Sequence, residues 1–124
     1  MERKQDIITW FEIPAHDFER AVLFYETILE TKLHRHGPPG ESYAFFDHED
    51  SVGGAITQYP DNAPSQSGVL IYLNGGDDLQ PILDRVESAG GKVLRNKELI
   101  SEEIGYSALI LDTEGNRLAL HSRR

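Results

Sequence analysis

The stretch Asp17-Phe18-x-x-Ala21-Val22-x-x-Tyr25-x-x-Ile28 is echoed half a chain length later by Asp78-Leu79-x-x-Ile82-Leu83-x-x-Val86-x-x-Ala89. Each copy opens on an aspartate, whose carboxylate can accept from the free N–H groups of a helix's first turn. Each continues with apolar residues three and four apart, which places them on one helix face. The pattern predicts a helix from Asp17 to about Leu29, buried along Phe18, Ala21, Val22, Tyr25, Ile28 and Leu29. It predicts a second over 78–89, with Pro81 tolerated in the first turn and Gly90-Gly91 as the stop. One unit used twice predicts a concave sheet with a cleft between its halves.

Working outward, Ile7 to Ile13 reads as a strand stopped by Pro14. After the first helix come strands at 33–36, 43–47 and 52–59. The loop Gly37-Pro38-Pro39-Gly40 and the polar turn His48-Glu49-Asp50-Ser51 separate them. Gly53-Gly54 suggests a bulge or a close backbone approach. Residues 60–67 are the only linker-like segment. The second half repeats the order with strands at 69–74, 92–97, 106–111 and 117–121, with Ser101-Glu102-Glu103 as an exposed loop. Asp112-Thr113-Glu114-Gly115-Asn116 is a hairpin signal between the last two strands. The expected fold is α+β: two tandem βαβββ modules, about 7–59 and 68–122, in one domain spanning 1–124, forming a curved mixed sheet or open half-barrel.

Composition bounds the function. The 124 residues carry a net charge of −9 and no cysteine. The charge argues against a nucleic-acid partner, which needs a basic stripe. The absence of cysteine removes disulfides, thiolate metal sites and thiol catalysis. No apolar run is long enough to span a membrane, and the polar N-terminus lacks a signal-peptide core, so a cytoplasmic location is expected. No Gly-x-x-x-x-Gly-Lys run or activated-serine context is present.

Strand alternation assigns faces. The helix-packed face is expected to carry Phe11 and Ile13; Val69, Ile71 and Leu73; Leu109 and Leu111; Leu118 and Leu120. The concave face then carries Trp10 and Glu12; Leu70, Tyr72 and Asn74; Tyr106, Ala108 and Ile110; Arg117, Ala119 and His121. The strands at 43–47 and 52–59 are mixed on both faces and stay unassigned. Aromatic walls with a few polar groups suit a small-molecule site, with Trp10, Tyr72, Asn74, Tyr106 and Arg117 as candidate ligand contacts. Glu12, a carboxylate beside an indole, is the candidate general base. It could equally pair with Arg117 or His121, or face solvent. His121 is either an acid/base partner or a surface histidine near the chain end. Tyr72 and Tyr106 either orient a ligand or are half-buried strand aromatics. His34-x-His36 has a metal-compatible spacing but no third ligand beside it.

The segments Phe18-Glu19-Arg20-Ala21-Val22-Leu23-Phe24-Tyr25, Asp78-Leu79 through Gly90-Gly91-Lys92-Val93, and Asp112-x-x-Gly115-Asn116-Arg117-Leu118-Ala119-Leu120 span most of the chain. In this order they resemble the vicinal oxygen chelate superfamily, which includes glyoxalase I, bleomycin- and fosfomycin-resistance proteins and extradiol dioxygenases. The last segment is similar to the Asp-Pro-Asp-Gly-x-x-Ile-Glu-Leu ending of metal-using members. The resemblance implies an open barrel around a pocket, and a homodimer. It also implies metal ligands on the first strand of each half and on later strands. This sequence has Trp10, Leu70 and Ala119 at three of those positions, and Gln58 or Thr57 as the only choice for a fourth. An indole and aliphatic groups donate no lone pair to a divalent ion, so neither metal nor cofactor is expected.

Three functions compete on these residues. One is a metal-independent small-molecule protein with or without lyase- or isomerase-type proton transfer at Glu12, related to lactoylglutathione lyase. Another is a sequestering protein of the bleomycin-resistance kind, holding a cationic or aromatic compound. A metal-dependent lyase would need ligands from unexpected places such as Glu12, His36 or His121.

Overall fold

The computed structural model describes residues 6–36, 42–48 and 51–124. The loop at 37–40 and the middle of the turn at 48–51 lie outside the described residues. Ten elements follow in order: β1 (Trp10–Pro14), α1 (Phe18–Leu29), β2 (His34–His36), β3 (Ser42–Phe45), β4 (Gly53–Gln58), β5 (Tyr72–Asn74), α2 (Gln80–Val86), β6 (Lys92–Ser101), β7 (Gly105–Leu111) and β8 (Arg117–Ser122). The βαβββ order thus occurs twice. The strands form two four-stranded mixed sheets, β1-β4-β3-β2 and β5-β8-β7-β6, neither of them closed. In each, the first strand runs parallel to the last and the remaining pairs are antiparallel. Equivalent bonds recur just beyond the first strands: Ala15 N–H donates to the Thr57 carbonyl (2.8 Å), and Gly75 N–H to the His121 carbonyl (2.6 Å).

Local chemistry explains the helices. Asp17 has extended backbone, and its carboxylate accepts from Arg20 N–H at 3.2 Å. The buried stripe of α1 is the expected one with Phe24 added and Leu29 only half-buried. α2 is shorter than the apolar pattern suggests, seven residues ending at Val86. Asp78 sits two residues before it, accepting from Gln80 N–H (2.9 Å) and Lys97 Nζ (2.8 Å). Gly90, at φ 102°, turns the chain out. Arg85 ties the helices together by donating twice to the Ile28 carbonyl (3.0 and 2.8 Å). The core runs through both halves, with Ile13, Phe24 and Ile56 from the first and Leu79, Ile110 and Leu120 from the second.

Three expectations about strands are corrected. β1 begins at Trp10, and Ile7 and Ile8 are exposed, Ile7 at 90%. β5 is only Tyr72–Asn74, and Val69 is 93% exposed rather than packed under the helices. Each of these strands pairs on one side only; ahead of Tyr72 the Ile71 carbonyl still accepts from Ala119 N–H at 2.9 Å, but Val69 stands outside the ladder. The third correction is the phase of β7. Ala108 lies opposite Leu120 and Ile110 opposite Leu118. Directly opposed residues share a face, so Ala108 and Ile110 belong to the helix-packed core and Leu109 and Leu111 to the other side.

Candidate functional site

The register of the first sheet settles the faces that alternation left open. Trp10 pairs with Gly53, Glu12 with Ala55 and Pro14 with Thr57. β3 continues the rows, with Tyr43 opposite Thr57 and Phe45 opposite Ala55, and β2 adds His34 and His36. Ile13, Ala44 and Ile56 point the other way into the core. Trp10, Glu12, Tyr43, Phe45 and Thr57 therefore share the side opposite the helices.

Glu12 is the chemical centre of that side. Its Oε2 accepts from the Tyr43 hydroxyl at 2.8 Å and from Trp10 Nε1 at 3.2 Å. The bond donated to Glu12, then the neighbouring Tyr59 hydroxyl, with burial adding, push the Tyr43 phenol well above its ordinary range. Tyr43 is thereby fixed as a donor. Oε1 takes no hydrogen bond from the described residues, so one oxygen is held and the other is open. Aromatic rings frame the carboxylate. Phe45 meets Trp10 edge-on with centroids 5.5 Å apart, Tyr43 edge-on at 4.9 Å and His36 at 4.8 Å. The Thr57 hydroxyl is buried and has no partner among the described residues, a position that costs about 1–3 kcal/mol when nothing meets it.

The other candidates are distributed as follows. Glu12 bonds neither Arg117 nor His121; Glu12 and Arg117 line one cavity of about 220 Å³ at the junction of β1, β8 and the 63–69 segment. Tyr72, Asn74 and His121 line another, about 680 Å³, with Ile100 and Ile104. His121 Nε2 lies 2.7 Å from the Ile104 carbonyl. A carbonyl only accepts, so Nε2 is the donor in this contact. Asn74 is partly engaged, its Oδ1 accepting from Gly76 N–H at 2.8 Å. Tyr106 is not in the cleft. It lies opposite Ser122, packs against the core and has Lys97 Nζ 4.7 Å above its ring. Sequence reasoning missed Tyr43, Phe45 and Tyr59. A signal was present in Ala44, a small residue between aromatics that suits a close-packed core position.

The positions at which the resemblance implies metal ligands hold Trp10 on β1, Leu70 just before β5 and Ala119 on β8. None offers an oxygen or imidazole nitrogen from its side chain. Gln58 is committed elsewhere, accepting from Phe18 N–H (3.0 Å) and donating to the His16 carbonyl (2.9 Å). Among the described residues no three His, Asp or Glu side chains cluster as a metal set. The donor set does not fit the metal centre that the resemblance implies. No helix among the described residues is long and apolar enough to cross a membrane.

The family model described as Glyoxalase/Bleomycin resistance protein/Dioxygenase superfamily matches residues 7–120. A glyoxylase-like domain-containing protein of Didymella fabae is 29% identical over 129 residues, covering 94% of this chain and 93% of that protein. Among solved structures, a glyoxalase/bleomycin resistance protein from Albidiferax ferrireducens superposes with a TM-score of 0.75 at 14% identity, covering 96% of this chain and all of the other. An antibiotic binding protein from a Streptomyces species superposes with a TM-score of 0.67 at 17% identity, covering 98% of both chains. At these identities the structural likeness speaks to the fold.

Proposed function

We propose that this chain, which belongs to the Glyoxalase/Bleomycin resistance protein/Dioxygenase superfamily, binds a small organic molecule on its concave side without a metal, and that Glu12 is the group that engages it. One observation carries the reading. The carboxylate is held on Oε2 by two aromatic donors, has no counter-ion among the described residues and keeps Oε1 open beside a cavity. Two tethered donors fix the carboxylate's direction before any ligand arrives, which lowers the cost of binding. Trp10, the only tryptophan, reports directly because its indole N–H is bonded to the same carboxylate. Titrating its fluorescence with a panel of small cationic and aromatic compounds is expected to show saturable quenching that Glu12→Gln weakens at least tenfold. Protein purified without added metal is expected to carry far less than one equivalent of zinc, nickel or iron. Silence across the panel, or a stoichiometric metal, would remove the proposal.

The open Oε1 also favours a second reading, proton abstraction of the lyase or isomerase type. A fixed carboxylate with one free oxygen can take a proton from an acidic C–H, and Arg117, which lines the same cavity, would hold an anionic part of the substrate. Glu12→Gln separates the two: a base is lost outright, whereas in pure sequestration only affinity falls.

The same proposal includes a homodimer, supported by the exposed apolar side chains Ile7, Ile8 and Val69. Sedimentation velocity is expected to read twice the chain mass of 14.0 kDa. A monomer at micromolar concentration would count against it.

A further inference from the structure

We infer that the ligand of this cleft is a small zwitterion, its cationic end on Glu12 and its anionic end on Arg117. This rests on the proposed binding role of the concave side and names the class of molecule it takes.

Glu12 on β1 and Arg117 on β8 line the same cavity of about 220 Å³, and both are half-buried. Their charges are opposite, yet no ion pair joins them, and no carboxylate among the described residues pairs with Arg117. Opposite charges that share a partly desolvated space attract strongly. Here they are kept apart. Tyr43 and Trp10 tether the carboxylate through Oε2, at 2.8 and 3.2 Å. The backbone of Arg117 is held by the linker, its N–H reaching the Ser65 carbonyl at 3.4 Å. The result is a gap with a negative wall and a positive wall.

The remaining walls are mixed, with the apolar Ile13, Pro14, Ile71 and Leu118 beside Ser65, Ser67 and Asn116. A guanidinium presents a fork of donors that matches a carboxylate, and the open Oε1 of Glu12 can accept from an ammonium. The volume lies below the range of drug-sized sites and fits a molecule of amino-acid size. Net charge selects further. At −9 the protein repels free anions, so a lone carboxylate would be drawn poorly to Arg117. A molecule with both charges is neutral overall and satisfies both walls.

The test uses the ω-amino acids from glycine to 5-aminopentanoate, which scan the separation of the charges. Each is compared with the n-alkylamine and n-alkanoate of the same chain length, and Trp10 fluorescence is the readout. One amino acid is expected to bind at least tenfold tighter than both its single-charge analogues, and Glu12→Gln and Arg117→Gln are each expected to abolish that advantage. Amines or alkanoates that bind as tightly as every amino acid would overturn the inference, and so would an advantage that survives both substitutions. If the amino acids fail while another compound quenches Trp10 in a Glu12-dependent way, the zwitterion falls and the binding role stands. If nothing quenches Trp10, both fall.

Discussion

Glu114→Ala is expected to lower the unfolding free energy by about 3 kcal/mol at neutral pH, measured by urea denaturation. The side chain is 0% exposed and sits in the β7–β8 turn. It accepts from the backbone N–H groups of His16 (2.9 Å) and Asp17 (2.7 Å), from Arg20 Nε (2.7 Å) and Nη2 (3.1 Å), and from the Thr113 hydroxyl (2.8 Å). One carboxylate thus fastens the end of the second module to the entry of α1 in the first, where the helix dipole also favours a negative charge. Alanine would strand two backbone donors. Acid provides an independent route to the same energy. Burial pushes the Glu114 carboxyl up, but Arg20, the Asp17 N–H and Thr113 together outweigh it and hold it at about 2, against an ordinary 4.5. A carboxyl whose folded value lies below its unfolded value contributes stability above the unfolded value. That contribution is lost as pH falls from about 4.5 through about 2. The displacement corresponds to about 3 kcal/mol, in agreement with the substitution estimate. Glu114→Gln keeps the shape and one acceptor oxygen, so it is expected to cost less and to flatten the acid limb between those pH values. A loss under about 1 kcal/mol for alanine, with an unchanged acid limb, would show that the contact contributes little.

What was legible in the chain follows from how local each determinant is. Asp17 and the stripe from Phe18 to Ile28 announce α1 within a dozen residues, and the helix runs over Phe18–Leu29. The Asp112–Asn116 turn was legible for the same reason. Its larger role was not, because the partners of Glu114 lie 97 and 98 residues away. Alternation put Trp10 and Glu12 on one side, since Phe11 and Ile13 left the other side uniformly apolar. It could not do so for β3, where Tyr43, Phe45 and Phe46 put aromatics on both faces. Only the pairing of Ala44 with Ile56 decides that strand. The partner of Glu12 was therefore missed, and Arg117 or His121 was considered in place of Tyr43. The apolar residues before Trp10 and Tyr72 read as strand because composition alone does not reveal that both strands lie at sheet edges.

The phase of β7 failed for a related reason, and it leads to the second large effect: Gly105→Ala is expected to cost about 3 kcal/mol. From Tyr106 to Leu111 both faces are apolar but for Ser107, so the count of hydrophobic residues carries little phase information. The phase is set by how the strand begins. Gly105 sits at φ 105°, a conformation that L side chains rarely adopt, and pairs with Ser101 across a register shift. A Cβ there would run into the Ser122 carbonyl and the backbone of Arg123, neither of which can move aside like a flexible side chain. The alignment it protects places Tyr106 opposite Ser122, whose hydroxyl accepts from Leu79 N–H at 2.9 Å at the start of α2. A one-residue slip would turn Ala108 and Ile110 out of the core. Gly68 supplies the control, because it has nearly the same φ, 101°, but open space where its Cβ would stand. Gly68→Ala is expected to cost only about 1 kcal/mol, the penalty of the backbone conformation alone. Chemical denaturation of the two variants separates dihedral strain from collision, and equal losses would refute the view that the approach of Ser122 anchors β7.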